Sequence, residues 1–336
     1  MARVRRVIDD GISFYEHAIA RDDGITLFRG RARFVGTHEL ECAGETVRFR
    51  HAVLATGASP VVPDIPGLDT VPFATSDDLL RATERPGHLV CLGAGAISLE
   101  FAQAYRRLGA DVTVVLRGSH VTRGEEPELA ELLGRYLVEE GVQIRAGVAP
   151  ARVELVGGRP AVVLADGSRV TGDRLLVALG RAPLVDGLGL EQVGIAAGPQ
   201  GVAVDEHLGT SLPHVYAIGD AIGGWMFTHV ATYEAPLAVA NMLDGAALVP
   251  DYRTVPRVIF TDPELAAVGL SEEQALERGH EVEVRRFDVG KLGKARALGD
   301  RRGRIKFCST PAPARSSVPT SWPATAPTCC PARRSR

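Results

Sequence analysis

The chain has 336 residues, 45% hydrophobic and 24% charged, with a formal net charge of −3. That length is enough for two or three domains with a sizeable core, and the near-neutral charge argues against a nucleic-acid or anionic-membrane surface. No apolar run reaches the length of a membrane span. Asp9 and Asp10 follow the basic opening where a signal peptide would turn apolar, so no nucleic-acid or membrane partner and a cytoplasmic location are expected.

Val7, Ile8, Ile12, Tyr15 and Ile19 fall at roughly helical spacing and predict a helix over 5–21, closed by Gly24. Short alternating runs follow at Ile25–Phe28, Arg33–Val35, Glu39–Cys42, Thr46–Phe49 and Ala52–Ala55. They predict a small antiparallel meander ending in a buried strand. Pro60, Pro63, Pro66 and Gly67 mark a connecting segment. A second module opens at Gly87: strand 88–92, Gly-rich turn, helix 97–108, strand 111–116 and helix 127–140. Strand-like stretches follow at 142–146, 151–156, 161–165 and 175–179. A Gly/Pro-rich stretch over 180–201 leads to a strand at 214–218 and a helix near 230–244. After Pro250 come a strand at 257–260, a helix at 271–278, and strands at 281–287 and 303–307. Residues 308–336 contain no Asp, Glu, Gly, Leu, Ile or Phe, a composition that predicts a disordered tail.

The turn at residues 93–95 carries the first chemical signal. Gly93-Ala94-Gly95 lies between an apolar strand and a helix beginning Ala96-Ile97-Ser98-Leu99-Glu100. Gly93 permits the tight turn, and Gly95 lets backbone approach a pyrophosphate at the helix N-terminus. Ser98 stands where such turns carry a third Gly, and a small residue there still allows close helix–strand packing. The alternative is a Gly-rich strand-to-helix turn with no ligand. The next strand ends Val115-Leu116-Arg117, with Arg123 six residues on and no acid at 116 or 117. An acid there binds the ribose 2′-hydroxyl of NAD, and Arg suits the 2′-phosphate of NADP, so NADP is favoured and NAD remains possible. Two solvated surface arginines would give the same pattern.

The five cysteines, Cys42, Cys91, Cys308, Cys329 and Cys330, are odd in number and contain no C-x-x-C or C-x-x-x-x-C pair, which argues against a disulfide framework. Cys329-Cys330 could offer soft thiolates to a metal, but the expectation is no metal site.

With these motifs placed, the chain over residues 1 to about 307 resembles the class I pyridine nucleotide–disulfide oxidoreductases. That family includes mercuric reductase, dihydrolipoamide dehydrogenase and glutathione reductase. Ala55-Thr56-Gly57-Ala58-Ser59-Pro60 is similar to its segment beside the flavin, and Leu179-Gly180-Arg181-Ala182-Pro183 to its return strand. Val215-Tyr216-Ala217-Ile218-Gly219-Asp220 is similar to its second flavin motif, and Met226-Phe227-Thr228-His229 to the stretch along the flavin ring. Phe260-Thr261-Asp262-Pro263-Glu264-Leu265-Ala266-Ala267-Val268-Gly269 is similar to the opening of its interface domain.

The resemblance implies an α/β fold with two Rossmann-like dinucleotide-binding units and a partial α+β dimer-interface domain. It implies FAD and NADP as cofactors, and a homodimer as in relatives. NADP contacts are expected at Gly93, Gly95, Ile97, Arg117, Arg123 and Gly180. FAD contacts are expected at Thr56, Gly57, Arg181, Asp220, Met226, Phe227, Thr228 and His229. Glu100 is expected to support the hydride-transfer site, since its counterpart pairs with a Lys near the flavin. Without the resemblance, Asp220 reads equally as a helix N-cap, His229 as a packed core residue, and Glu100 as a surface carboxylate.

The implied domains are 1–84 (partial FAD-binding), 85–184 (nucleotide-binding), 185–250 (FAD-binding, continued), 251–307 (partial dimerisation) and 308–336 (aberrant tail). The family's first flavin turn and redox-disulfide helix have no counterpart here, and a shift of reading frame near residue 308 explains the change in composition. The expectation is therefore an FAD-dependent NAD(P)H oxidoreductase impaired in disulfide reduction. The alternative is a non-catalytic NADP-binding fragment of a disrupted gene.

Overall fold

The computed structural model describes residues 2–311 and 328–329. The chain divides into two compact units, residues 1–61 with 181–251, and residues 62–180 with 252–336.

In the first unit, the helix Ala2–Ala20 carries the expected periodicity. Its apolar face is not covered by the described residues of the unit, since Val7, Ile12 and Tyr15 are all exposed. Ile25–Phe28 is not a strand: Ile25 and Leu27 are exposed, and the segment has no ladder to join. The meander is Ala32–Gly36, Glu39–Cys42 and Glu45–Arg48, antiparallel throughout. Ala52–Leu54 leaves it and pairs in parallel with Val215–Ala217, so two segments about 160 residues apart in sequence share a core. Phe34, Leu54, Leu190, Ile195, Val202, Val215 and Ala217 form that core. The helix Thr228–Asp244 begins two residues earlier than expected.

The second unit holds a four-stranded parallel sheet in the order Arg174–Val177, His88–Leu92, Asp111–Val115, Gln143–Arg145. The central strand explains why its sequence is a continuous apolar run. Leu89 and Cys91 join one core cluster, Val90 and Leu92 another, so both faces are buried. Ala96–Arg107 and Pro127–Glu139 contribute Leu99, Ala102, Leu129, Leu133 and Leu137 to the first cluster. The antiparallel strands Pro150–Val156, Arg159–Leu164 and Arg169–Thr171 contribute Val153, Val162, Leu164 and Val170 to the second.

Residues 62–84, which the sequence places with the flavin segment, pack in this second unit. Leu68 and Val71 belong to one of its clusters and Ala74 and Leu79 to the other, while the Ala74 N–H donates to the Leu175 carbonyl at 2.7 Å. The unit also contains a five-stranded sheet in the order Pro256–Ile259, Leu265–Val268, Thr328–Cys329, Arg304–Ser309, Glu283–Asp288. The expected break at residue 308 falls inside a strand: Cys308 pairs with Val284, and Ser309 with Glu283. The Cys308 side chain is buried there, so packing holds the strand across the change in composition. Thr328–Cys329 lies in the same sheet, whereas the rest of the expected tail beyond 311 falls outside the described residues. No helix among the described residues is long and apolar enough to cross a membrane.

Candidate nicotinamide-nucleotide site and flavin motifs

Gly93 closes the central strand with φ +99°, a conformation L side chains rarely adopt. A Cβ there would stand 2.3 Å from the Ala178 carbonyl oxygen. Its N–H donates to the Val115 carbonyl at 2.9 Å, and its own carbonyl accepts the Ser98 hydroxyl at 2.6 Å. The residue at the third-Gly position is thus fully buried and also ties the helix back to the turn.

Gly95 is exposed, has open space where a Cβ would stand, and leads into Ala96–Arg107 without a side-chain cap. No acid lies in the first turn of that helix. The N–H groups of a first turn have no intrahelical partner and present partial positive charge. An uncapped, acid-free N-terminus beside an open glycine fits a pyrophosphate, with half-buried Ile97 in its first turn.

Arg117 and Arg123 are exposed, and among the described residues neither makes a hydrogen bond or ion pair. The loop carrying them is anchored at several points. Leu116 is buried, with its N–H on the Arg145 carbonyl at 3.0 Å, and the Thr122 N–H donates to the Ala94 carbonyl at 2.8 Å. Neither guanidinium group is engaged among the described residues, and the loop that carries both is fastened to the glycine turn at Ala94, an arrangement that could hold a ligand phosphate. Gly180, at φ +130°, is exposed after the outer parallel strand.

Glu100 is half-buried rather than a surface carboxylate, and its Oε1 accepts the Phe260 N–H at 2.9 Å. Gln103 and Arg107, further along the same helix, grip Asp262. Gln103 Oε1 accepts the Asp262 N–H at 2.7 Å, and Arg107 Nη1 lies 2.9 Å from Asp262 Oδ2. One face of the nucleotide helix thus clamps the 260–262 loop. Burial pushes the Glu100 carboxyl above its ordinary value of 4.5, and the Phe260 N–H pulls it partly back. An acid whose folded pKa exceeds its unfolded pKa destabilises the fold as pH rises through the interval between them. Glu100→Gln keeps an acceptor for Phe260 and is expected to remove that decline, read as denaturation midpoints between about pH 4 and pH 8.

In the first unit, the Thr56 hydroxyl donates to the Leu184 carbonyl at 2.7 Å, and the Gly57 carbonyl accepts the Leu184 N–H at 2.9 Å. Ala58–Pro60 pairs antiparallel with Arg181–Pro183, and Arg181 Nη2 donates to the Ala58 carbonyl. The two expected flavin segments, far apart in sequence, therefore lie side by side.

Asp220 sits in a short 3-10 turn, Gly219–Ile222, beyond the strand Val215–Ala217. Ile218 holds the N-cap position, so the capping alternative for Asp220 does not hold. Its half-buried carboxylate has no hydrogen-bond partner among the described residues. Glu234, which is 2% exposed, accepts the Gly219 N–H at 2.6 Å and braces this turn. Glu234 is not among the residues expected from the sequence, because its role rests on a bond to a main-chain N–H. His229 is exposed, which overturns the packed-core alternative, and its ring stacks on Phe227 with centroids 5.3 Å apart. Met226 and Phe227 are half-buried and Thr228 exposed, at the start of the helix.

Among the described residues, Cys42, Cys91 and Cys308 are free and buried. Burial pushes the Cys91 thiol up to about 12, far from a reactive thiolate. No group of three potential metal ligands occurs among the described residues, while the Cys329 side chain and Cys330 fall outside them.

Residues 11–235 match the pyridine nucleotide–disulphide oxidoreductase family, and residues 255–312 match that family's dimerisation domain. The chain belongs to this family. It is 35% identical to a mercuric reductase from Bacillus cereus over 290 residues, which cover 85% of the chain and 46% of that protein. It is 37% identical to a glutathione reductase from Burkholderia cepacia over 261 residues, covering 77% and 58%. The HOCl-induced flavoprotein disulfide reductase RclA from Escherichia coli has the same fold, with a TM-score of 0.86 at 31% identity, covering 91% of the chain and 71% of RclA. Family members of these kinds are FAD-dependent and use NAD(P)H. The chain spans about half the length of the mercuric reductases it matches.

Proposed function

We propose that this chain forms the electron-donor side of an FAD-dependent NAD(P)H oxidoreductase, binding NADPH at residues 93–123 and carrying part of a flavin site. The observation that carries this reading is the uncapped helix N-terminus after Gly95, beside a loop with two unpaired arginines. In this reading the N–H groups after Gly95 take the pyrophosphate, and Arg117 and Arg123 take the 2′-phosphate. Gly180 lies along the bound nucleotide. Thr56, Gly57, Arg181, Asp220 and residues 226–229 contact the flavin, with Asp220 accepting from ribityl hydroxyls. When bound, FAD supplies the two-electron relay between nicotinamide and acceptor. Assembly through residues 255–312 as a homodimer and a cytoplasmic location belong to the same reading.

The test is Arg117→Ala, read by calorimetric titration. Losing one charge-assisted phosphate contact is expected to weaken NADP⁺ binding about tenfold to a hundredfold while leaving NAD⁺ within about twofold. Equal losses for both nucleotides would overturn the assignment.

A non-catalytic NADP-binding role is the second reading. It is favoured by the cysteines, since Cys42, Cys91 and Cys308 are buried and form no redox pair. Steady NADPH oxidation by the purified chain with FAD and a disulfide acceptor would exclude it.

A further inference from the structure

Thr122 breaks two local rules at once. It is a β-branched residue at φ +54°, in the region that favours glycine. Its hydroxyl is also buried with no hydrogen-bond partner among the described residues, and the residue as a whole is 3% exposed. Each feature costs stability, and such costs concentrate where geometry serves a ligand. Thr122 lies on the arginine loop, between Arg117 and Arg123. Its N–H donates to the carbonyl of Ala94, the middle residue of the phosphate-binding turn, at 2.8 Å.

The neighbours of Thr122 are fixed on both sides. Val121 is buried in the core cluster beneath the parallel sheet. The Thr122 carbonyl accepts the Glu125 N–H at 3.1 Å, and Glu125 is held by Arg257 at 3.1 Å. Arg123 is therefore an exposed residue of a short stretch that is fastened to the glycine turn through the Thr122 N–H.

We infer that Thr122 is a positioning residue that sets the distance between the arginines and the phosphate-binding turn, and thereby the discrimination between 2′-phosphorylated and unphosphorylated nucleotides. This rests on the NADP reading of the site above. The strained, branched residue stiffens the loop before the ligand arrives, so less ordering is required on binding. The hydroxyl takes no part in this; the backbone N–H and the stiff branched side chain do.

The experiment measures the ratio of NAD⁺ to NADP⁺ dissociation constants for the full chain and for Thr122→Gly, Thr122→Val and Arg117→Ala. Gly adopts φ +54° freely, so Thr122→Gly folds but leaves the loop slack. Its ratio is expected to fall about threefold to tenfold, with NAD⁺ affinity unchanged. Thr122→Val keeps the N–H and the branching and is expected to retain the ratio of the unmodified chain. If Thr122→Gly weakens both nucleotides equally, or leaves the ratio intact while Arg117→Ala collapses it, the inference fails and the NADP reading stands. If Thr122→Val loses discrimination as Thr122→Gly does, the positioning role is likewise overturned. If the unmodified chain shows no preference, the NADP reading fails first.

Discussion

Gly93→Ala is expected to lower the unfolding free energy by about 3 kcal/mol or more and to abolish nucleotide binding. Two effects add. The position sits at φ +99°, where a Cβ is strained in any surroundings. That Cβ would also meet the Ala178 carbonyl oxygen at 2.3 Å, a main-chain atom just beyond the strand Arg174–Val177. The Ala178 carbonyl is main chain and cannot swing away as a flexible side chain could. The turn must open, and with it go the Ser98 bond to the Gly93 carbonyl and the start of the helix. Gly95→Ala makes the contrast. Its φ is −82° and nothing stands within 4 Å of a Cβ, so the fold is expected to tolerate it within about 0.5 kcal/mol. A methyl group there holds a pyrophosphate off the helix N–H groups, and nucleotide affinity is expected to fall at least about tenfold. Thermal melts and nucleotide titrations on the two variants separate a glycine needed by the fold from one needed by the ligand.

The second large effect is expected at Lys306. Its side chain is 3% exposed, and Nζ lies 2.6 Å from Glu126 Oε1 and 2.6 Å from Glu272 Oε2, with Glu128 Oε2 at 3.7 Å. Glu126 is itself 5% exposed and leads into the helix Pro127–Glu139, so this ammonium joins that helix to the strand Arg304–Ser309. Removing one member of a buried ion pair leaves the other uncompensated, which costs about 3–5 kcal/mol. Lys306→Met is expected to fall in that range, and Lys306→Met combined with Glu126→Gln to recover part of the loss, because the stranded charge is then gone.

The pH dependence has a fixed sign. Burial pulls the Lys306 ammonium down, but the bonds to Glu126 and Glu272 outweigh it, and its pKa lies above the ordinary 10.5. A base raised on folding contributes stability that is complete below its unfolded pKa and is lost as pH rises through the folded pKa. The unmodified chain is therefore expected to lose stability above about pH 10.5, and Lys306→Met to lack that component of the alkaline loss. Denaturant midpoints across the alkaline range read it.

Much of the second unit was legible because its signals are local and repeated. Leu89-Val90-Cys91-Leu92 is apolar on both faces, Gly93 and Gly95 punctuate it, and a helical pattern follows within a few residues. The first unit was less legible because its sheets are assembled from distant segments. Nothing local in Ala52–Leu54 says that its partner is Val215–Ala217, and Ile25–Phe28 has a strand composition but no neighbour to pair with. The short helix Ser76–Arg81 is not among the expected elements, and its start is marked by Asp78 accepting the Thr75 N–H at 2.8 Å.

At the candidate site, spacing and charge mark Gly93, Gly95, Arg117 and Arg123, and the structure brings the glycine turn and the arginine loop together. Ser98 and Thr122, which tie that turn and loop in place, carry no comparable signal, and neither does Glu234, which braces the Gly219 turn in the first unit. Their roles depend on bonds to main-chain groups, which leave no composition signal.

In the proposed function the arginine loop grips the 2′-phosphate of the nucleotide bound at the glycine turn. Phosphorus NMR of NADP⁺ titrated with the chain tests it most directly, because the 2′-phosphate and the pyrophosphate give separate resonances. Both resonances are expected to shift on binding, the 2′-phosphate pKa to fall below its free value of about 6, and Arg117→Ala to reverse the 2′-phosphate change alone. A shifted pyrophosphate beside an unperturbed 2′-phosphate would contradict it.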